Sequence, residues 1–540
     1  MQFPVVAGVL LLLGNAAFAQ DTRAPTISYP TVEWAEARIA LDAIAATHGP
    51  APGDALARLN TATARIFPRI AASPVPVLLP FDIDAFVQRP ADGETGFLTE
   101  FGAPKFFFAG PAGYDATFSI ALPEAGPRRK PRDVAINISG FGLLYELEER
   151  VGGEAKALTG LQTEFPGIRR FYFEGHMRYL FTRHGVLYEV SVECFDGGAR
   201  GRRLFCQDAH GAVTRFLKAL NIAGGTPKPP ATATAAPGAR PDKPSAAFSY
   251  YPPGQLISGT GSRRQGGDAD YTVYAPIRFP LADAPAQTYS QIFIDLGDCT
   301  ATPGDSKTLR RHGAPFRCAP GKLVSAVQMP NGGQNTYPWR DNFCESRGYF
   351  VGQCPSGLGH QGQDIVPVGC ALSSRDSDQC DRSHHRVVAV HYGMVMRAPR
   401  QEGLMIVANA PDRHLRFRYL HMNPKAIDAD GFFSGRVVRS GDVIGKVSNF
   451  NGREAGTSYH LHFDMQVPTK DGWVLVNPYM TLVASYERLI GGRGLEIKEE
   501  SIRASMTDIA YTAGVPEEYR APRKNLRKNA RKKRPHRHRN

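Results

Sequence analysis

A run of Pro, Ala and Thr at residues 224–247 does most to constrain how this 540-residue chain folds. The run has no apolar period, so it is typical of an extended, semi-rigid linker. The chain is also longer than the size at which one hydrophobic core usually stops growing. We therefore expect a multidomain protein with one folded half on each side of the linker.

The N-terminal half has the pattern of an α+β domain. Its periodicities predict two helices, at 31–47 and 212–220, and a hairpin of strands 178–182 and 186–194. No group of residues in this half suggests catalysis. Three histidines, His176, His184 and His210, are scattered among aromatic and basic residues, and we expect structural or exposed positions for them.

The C-terminal half contains many short β-type runs separated by Gly, Asn and Pro. The runs are 291–295, 387–390, 394–396, 404–408, 415–420, 443–447 and 459–467. Frequent strands with turn signals between them predict a mainly antiparallel sheet, sandwich or barrel. A mixed amphipathic stretch at 485–502 predicts a further helix.

The first 19 residues have the pattern of a secretory signal peptide. An apolar run from Val5 to Leu13 precedes Ala17-Phe18-Ala19, which fits a small-x-small cleavage site. No Lys or Arg precedes the run, so an uncleaved anchor stays open as an alternative. The run is shorter than the roughly 20 residues that span a bilayer, and no other segment qualifies as transmembrane. We expect an exported protein, periplasmic or secreted.

Eight cysteines lie beyond this segment, an even number that favours disulfides in an oxidising compartment. None has the C-x-x-C spacing of a zinc knuckle. Cys194 and Cys206 are expected to pair because the linker separates them from the other six. Those six permit 15 connectivities, of which we prefer nearest neighbours. The preferred pairs are Cys299 with Cys318, Cys344 with Cys354, and Cys370 with Cys380.

The net charge of +13 resides mostly in one segment. Residues 520–540 contain eleven Lys or Arg and no Asp or Glu, which leaves the rest of the chain nearly neutral. Such a block predicts a disordered interaction arm. Export favours anionic envelope polymers over nucleic acid as its partner, and a solvated tail without a dedicated partner remains an alternative.

The segment Tyr459-His460-Leu461-His462-Phe463-Asp464 places two imidazoles two residues apart in a strand pattern. Because strand side chains alternate faces, His460, His462 and Asp464 should project to one side and the apolar residues to the other. Two neutral imidazoles facing a cleft suit Zn²⁺. Two partly exposed strand histidines are the simpler alternative.

Two upstream elements add the ligands that such a zinc site needs. His360 and Asp364 are four residues apart with Gly362 between them, so their side chains could turn toward one point. With one histidine of the downstream pair they make three protein ligands and leave a fourth position open, as in catalytic zinc sites. A third element, Arg418-Tyr419-Leu420-His421, is a strand pattern that ends in a histidine.

These elements, in this order, resemble the M23 family of zinc metallopeptidases, the LytM-type or lysostaphin-like peptidoglycan endopeptidases. The resemblance lies in H-x-x-x-D at 360–364, Tyr-x-His at 419–421, H-x-H at 460–462 and Val-Asn-Pro at 476–478, with a Gly-x-x-Ile-Gly segment at 441–445. It covers roughly residues 347–482.

The resemblance implies a LytM-like fold, one zinc ion and hydrolysis of peptide bonds in peptidoglycan. It further implies that His360, Asp364 and His462 hold the zinc, and that His421 and His460 are the catalytic pair. Members that lack activity bind the cell wall or regulate another hydrolase, which is the alternative for this chain. A third hypothesis is that the N-terminal domain inhibits or directs the enzyme while the tail tethers it.

Three features depart from the family pattern. An insertion between Asp364 and Val387 carries Cys370 and Cys380, Tyr459 stands where many relatives have Pro, and the N-terminal half matches no recognised wall-binding module. The expected scheme is a signal peptide 1–19, an α+β domain 20–223, a linker 224–247, a peptidase domain 248–490 with its core at 347–482, an extension 491–519 and a basic tail 520–540.

Overall fold

The computed structural model describes most of the chain between residues 22 and 497. The described ranges are 22–48, 67–88, 96–122, 132–147, 156–194, 206–228, 238–256, 269–288, 298–300, 317–319, 339–345, 347–367, 385–457 and 459–497. The predicted signal peptide, the basic tail, the predicted strand 291–295 and the predicted pair Cys370 and Cys380 lie outside them. None of the helices in these ranges has the length and apolar content that crossing a membrane requires.

The N-terminal half is built around a seven-stranded antiparallel sheet. Its helices are α1 (Trp34–His48), α2 (Ile83–Val87) and α3 (Cys206–Lys218), with 3₁₀ turns at Phe67–Ala72 and Thr159–Leu161. Its strands are β1 (Ile27–Ser28), β2 (Val77–Pro80), β3 (Phe106–Gly110), β4 (Gly113–Leu122), β5 (Arg132–Phe141), β6 (Leu144–Tyr145), β7 (Lys156–Ala157), β8 (Arg169–Phe173), β9 (His176–Arg183), β10 (Val186–Glu193) and β11 (Leu220–Gly224). The sheet order is β3-β4-β5-β10-β9-β8-β7.

Local patterns predict this half well. The expected hairpin is present as β9 and β10, and its two-residue turn places His184 and Gly185 at φ 53° and 72°, the positive values that tight hairpin turns require. The predicted helix 212–220 is α3, which begins at Cys206 and ends at Lys218 because the chain then enters β11.

The C-terminal half is also mainly antiparallel β, as predicted. Its strands are β12 (Pro244–Tyr250), β13 (Ala286–Thr288), β14 (Asp298–Thr300), β15 (Arg317–Ala319), β16 (Tyr349–Phe350), β17 (Leu358–Gly359), β18 (Gln363–Pro367), β19 (Arg386–Val388), β20 (Gly393–Met396), β21 (Leu404–Ala410), β22 (Arg413–Leu420), β23 (Val437–Val438), β24 (Val443–Lys446), β25 (Leu461–Thr469), β26 (Gly472–Val476) and β27 (Arg493–Glu496). Its helices are α4 (Pro424–Ala429) and α5 (Tyr479–Ile490). Eight strands form the main sheet, in the order β13-β18-β25-β22-β21-β20-β23 with β26 beside β25.

The helix predicted at 485–502 is wrong in its bounds. Helix α5 begins at Tyr479 and ends before Gly491, whose left-handed backbone (φ 63°) caps it. The chain then forms β27, which pairs in parallel with β12 at the end of the predicted linker. The linker is further attached at Arg240, whose guanidinium donates to the buried Glu487 carboxylate of α5 at 2.6 Å.

The disulfide predicted between Cys344 and Cys354 is present. Cys194 is also disulfide-bonded, and its pairing with Cys206 stays a prediction. Cys299 and Cys318 are register partners in the sheet of β14 and β15, and their disulfide stays a prediction.

The two halves share hydrophobic cores. Ala112, Leu143 and Tyr145 of the N-terminal half pack into the core of the C-terminal half. In the other direction, Met394 and Val407 of the main C-terminal sheet pack into the N-terminal core. The linker therefore joins two halves that are packed against each other.

A buried polar network reinforces this contact. The Asp115 carboxylate on β4 accepts a hydrogen bond from His414 Nε2 at 2.7 Å and one from Arg416 at 2.6 Å, both on β22. Ser139 donates to Asp115 at 2.7 Å and accepts from the Trp473 indole at 3.0 Å. Burial alone would raise the pKa of Asp115, but the arginine, histidine and serine hold it well below its usual value.

A second buried group joins β9, β10 and the turn between β8 and β9 to β26. The Trp473 N–H donates to Glu189 at 2.7 Å, and Arg178 donates to the Trp473 carbonyl. The Leu475 N–H donates to Glu174 at 3.1 Å. Strand β26, which pairs with the histidine-bearing strand β25, is therefore fixed by the N-terminal half.

Candidate metal centre

Strands β18 and β25 bring the predicted ligands together. Asp364 and His462 are direct register partners in this antiparallel pair, so their side chains lie on the same face of the sheet. His360 precedes β18, and a turn through Gly362 brings it back toward Asp364. A Cβ at Gly362 would lie 2.2 Å from the Phe463 carbonyl oxygen, so the close approach requires glycine.

Three donor atoms converge on one point. His360 Nε2 lies 3.0 Å from His462 Nδ1, and Asp364 Oδ1 lies 3.2 Å from each of them. Zinc held tetrahedrally at 2.0 to 2.1 Å would place its ligand atoms about 3.3 Å apart. The three residues are buried, and of the described residues they are the group placed to hold a metal ion.

In His360 and His462, the ring nitrogen that faces away from the centre is already hydrogen-bonded. His360 Nδ1 lies 2.9 Å from the Asn342 carbonyl oxygen, so Nδ1 carries the proton and donates it. His462 Nε2 lies 3.1 Å from Asp464 Oδ2 and donates there. The nitrogens that face the centre therefore present lone pairs beside a carboxylate. Such an arrangement requires a cation or a proton between them, and the donor set fits Zn²⁺.

The charges of the centre agree with this inference. Burial alone would raise the pKa of Asp364, but the imidazoles of His360 and His460 hold it well below its usual value. Burial alone would lower the pKa of His462, but the carboxylates of Asp364 and Asp464 raise it. The centre therefore keeps an anionic carboxylate and attracts positive charge. A second oxygen of that carboxylate, Asp364 Oδ2, is buried without a hydrogen-bond partner among the described residues.

The strand alternation predicted around these histidines is confirmed. Leu461, Phe463 and Met465 are fully buried in the hydrophobic core of the C-terminal half, while His462 and Asp464 lie on the polar side of β25. His460 precedes the strand proper, bridged to Ser448, and its Nε2 lies 3.5 Å from Asp364 Oδ1.

His421 lies beside His460 and His462. It follows β22, whose Leu420 is the register partner of His462, and its ring centroid lies 4.7 Å from that of His460. Its Nδ1 donates to the Phe450 carbonyl at 2.8 Å, which leaves Nε2 as the basic nitrogen. Burial and the imidazoles of His460 and His462 lower the pKa of His421 to about 3, so this histidine is neutral at neutral pH.

Sequence reasoning missed two residues, one of which contacts the ligands and one of which contacts the partner of a ligand. The first is Asn342, whose carbonyl binds His360 and whose side-chain Oδ1 accepts from the Asp364 N–H at 3.3 Å. The second is Arg418, whose Nε donates to Asp464 at 2.7 Å. Arg418 was detectable, because it lies three residues before His421 in a strand pattern. Asn342 gave no signal, because its bond to His360 uses a backbone atom.

The histidines of the N-terminal half have local partners. His184 Nδ1 lies 3.2 Å from a Glu36 carboxylate oxygen, and His210 Nδ1 lies 2.7 Å from the Tyr179 hydroxyl. His176 Nδ1 donates to the Glu174 carbonyl at 2.9 Å. These contacts fit the structural positions expected for them.

Comparisons with known proteins give limited similarity. No family model matches the chain, and no curated protein matches it. A crystal structure of a candidate glycyl-glycine endopeptidase LytM from Ruminococcus gnavus ATCC 29149 is similar at 21% identity, with a TM-score of 0.18. The match covers 25% of this chain and 49% of the other, so this chain spans about half the length of the protein it matches.

Proposed function

We propose that the chain is a zinc metalloendopeptidase that hydrolyses peptide bonds in peptidoglycan. The observation that carries the proposal is the convergence of His360 Nε2, His462 Nδ1 and Asp364 Oδ1, with both nitrogens presenting lone pairs. In this proposal these three residues hold one Zn²⁺. Peptidoglycan as the substrate rests on the motif resemblance.

The chemistry divides between the ion and two histidines of the chain. When bound, zinc supplies a Lewis acid that lowers the pKa of water and polarises a peptide carbonyl. His421, with Nδ1 fixed on the Phe450 carbonyl, accepts a proton at Nε2 and returns it to the leaving amine. His460 stabilises the negative charge that develops on the carbonyl oxygen by donating a hydrogen bond.

The remaining parts of the chain have proposed roles that agree with this activity. A cleaved signal at 1–19 would export the protein to the periplasm or the medium. The α+β domain at 20–223 would dock on the peptidase domain at 248–490, and the basic tail at 520–540 would bind anionic envelope polymers.

The decisive experiment is mass spectrometry of muropeptides released from purified sacculi. We expect release by the zinc-loaded protein, loss of release with chelator, and loss with His360→Ala. His391→Ala is the matched control, because His391 Nδ1 bonds to its neighbour Tyr392. A protein that contains no zinc, or release that chelator does not change, would refute the proposal. Zinc binding and wall binding without release would instead favour a catalytically silent wall-binding domain.

A further inference from the structure

One arginine joins the two chain segments that carry the predicted ligands. Arg418 on β22 donates from Nε to Asp464 Oδ2 at 2.7 Å and from a second nitrogen to Gln361 Oε1 at 2.7 Å. Gln361 directly follows His360 in the chain, and Asp464 Oδ2 accepts from His462 Nε2 at 3.1 Å. We call Gln361, Arg418 and Asp464 the Arg418 bridge.

The Arg418 bridge closes a ring through the metal centre. The ring runs from His360 along the chain to Gln361, across Arg418 to Asp464, and on to His462, whose Nδ1 returns to His360 Nε2 at 3.0 Å. Strand β22, which carries Arg418, ends at Leu420 and is followed directly by His421. The ring therefore ties both ligand segments to the strand that presents the third histidine.

The position of the Asp464 carboxylate depends on Arg418. Its side chain is fully buried, and both observed hydrogen bonds use Oδ2, while Oδ1 has no hydrogen-bond partner among the described residues. The Arg418 guanidinium holds that carboxylate in place through Oδ2. Asp464 Oδ2 in turn accepts a hydrogen bond from His462 Nε2 and so fixes the tautomer that leaves Nδ1 free.

We propose that Arg418 and Asp464 are positioning residues that set the affinity of the centre for zinc. Asp464 orients the His462 ring, and Arg418 fixes both Asp464 and the loop that carries His360. This inference rests on the proposed function, because it takes His360, Asp364 and His462 as the zinc ligands. The inference adds that the affinity for zinc depends on a side chain that is partly open to solvent, since the Arg418 side chain is 27% exposed.

The test measures zinc affinity by competition with a chromogenic chelator in the full chain. Carboxylates that orient metal-binding histidines contribute roughly 10- to 100-fold to affinity. We expect that range for Asp464→Asn, and a smaller loss, roughly 3- to 10-fold, for Arg418→Met. Arg418→Lys should recover part of the lost zinc affinity. An ammonium retains the positive charge opposite Asp464, but it cannot contact Asp464 and Gln361 together as the guanidinium does.

Two further measurements separate positioning from general stability. In the double variant, Arg418→Met should add little to Asp464→Asn, because both act on the same imidazole. The visible spectrum of the Co²⁺-substituted protein should shift in both single variants, since the ligand field changes. Arg386→Met is the matched control, because it removes a half-exposed arginine paired with Asp283 and should change neither readout.

The outcomes also distinguish this inference from the proposed function. If the unaltered protein binds zinc tightly and both single variants bind within twofold of it, the positioning role is refuted while the proposed function stands. The positioning role is also refuted if the losses of zinc affinity in the two single variants simply add in the double variant. If the unaltered protein binds no zinc, the proposed function itself fails. Should Asp464→Asn fail to fold, Arg418→Met and Arg418→Lys still decide the inference.

Discussion

At the scale of single residues, His460 and His462 are two positions apart and have different surroundings. His462 has both ring nitrogens engaged, Nδ1 by the centre and Nε2 by Asp464, whereas His460 precedes the strand and its Nε2 lies 3.5 Å from Asp364 Oδ1. The sequence pattern indicated the shared face of the pair. The assignment of one histidine to the metal and the other to the reaction came from the motif resemblance.

We therefore predict that replacing the two histidines has different effects on zinc content and turnover. His462→Ala removes one of three donors, and zinc content should fall to background after dialysis. His460→Ala should retain zinc, while turnover on sacculi falls roughly 10²- to 10⁴-fold, the usual effect of losing a proton-transfer or hydrogen-bonding group. Metal analysis measures the zinc content, and muropeptide release measures the turnover. Equal zinc loss in the two variants would contradict the division of roles.

His421 adds a constraint of backbone conformation. Its φ of 68° is in the left-handed region, which Asn tolerates better than most residues. We predict that His421→Asn retains the fold and the zinc but loses roughly 10²- to 10⁴-fold in turnover. His421→Ala should lose turnover similarly and unfold at a lower temperature, because alanine is strained there. Turnover of His421→Asn close to that of the unaltered protein would exclude His421 from the reaction.

At the scale of elements, the strands and hairpins that local patterns indicated are present, and the errors occur where partners are distant in sequence. The stretch 485–502 is periodic enough to suggest one helix, but Gly491 ends α5 and the following residues pair with β12, more than 240 positions earlier. Asn342 was missed for the same reason. No local pattern shows that a carbonyl at position 342 meets an imidazole at position 360.

The turn between His360 and Asp364 gives a prediction for one element. Gly362 packs against β25 so closely that an added Cβ would lie 2.2 Å from the Phe463 carbonyl and 2.7 Å from Asp464 Cβ. Gly362→Ala must therefore displace β18 or β25, and we expect about 1 to 3 kcal/mol of destabilisation together with weaker zinc binding. Chemical unfolding and chelator competition measure the two effects.

A second glycine of the same half provides the control. Gly348 has no atom within 4 Å of an added Cβ, so Gly348→Ala should change the free energy of unfolding by no more than about 0.5 kcal/mol. Equal effects of the two substitutions would show that the close approach at Gly362 is not required.

At the scale of the whole molecule, the division of the chain into domains at the linker stays a prediction, and the linker gave no indication of the contact between the two halves. Asp115, His414 and Arg416 lie on β4 and β22, where charged residues in an alternating strand usually indicate a solvent-facing side. Here they face each other across the contact and are buried. The sequence shows that these three residues are polar. It does not show that one half of the chain covers the polar face of the other half.

The last prediction concerns this contact and its dependence on pH. Replacing Asp115 by Asn leaves Arg416 buried without its anionic partner, and breaking a buried pair in this way costs about 3 to 5 kcal/mol. Because the pKa of Asp115 is lowered in the folded state, its contribution is present above the usual carboxyl pKa of about 3.9 and is lost as pH falls further. Thermal unfolding of Asp115→Asn should therefore show a large loss of stability relative to the unaltered protein at pH 7, and this loss should narrow below about pH 4.

The control is Asp283→Asn, at an exposed pair with Arg386, with an expected change in stability of about 1 kcal/mol or less. A deficit in Asp115→Asn that stays constant down to pH 2, or one no larger than that of Asp283→Asn, would show that this carboxylate does not hold the two halves together.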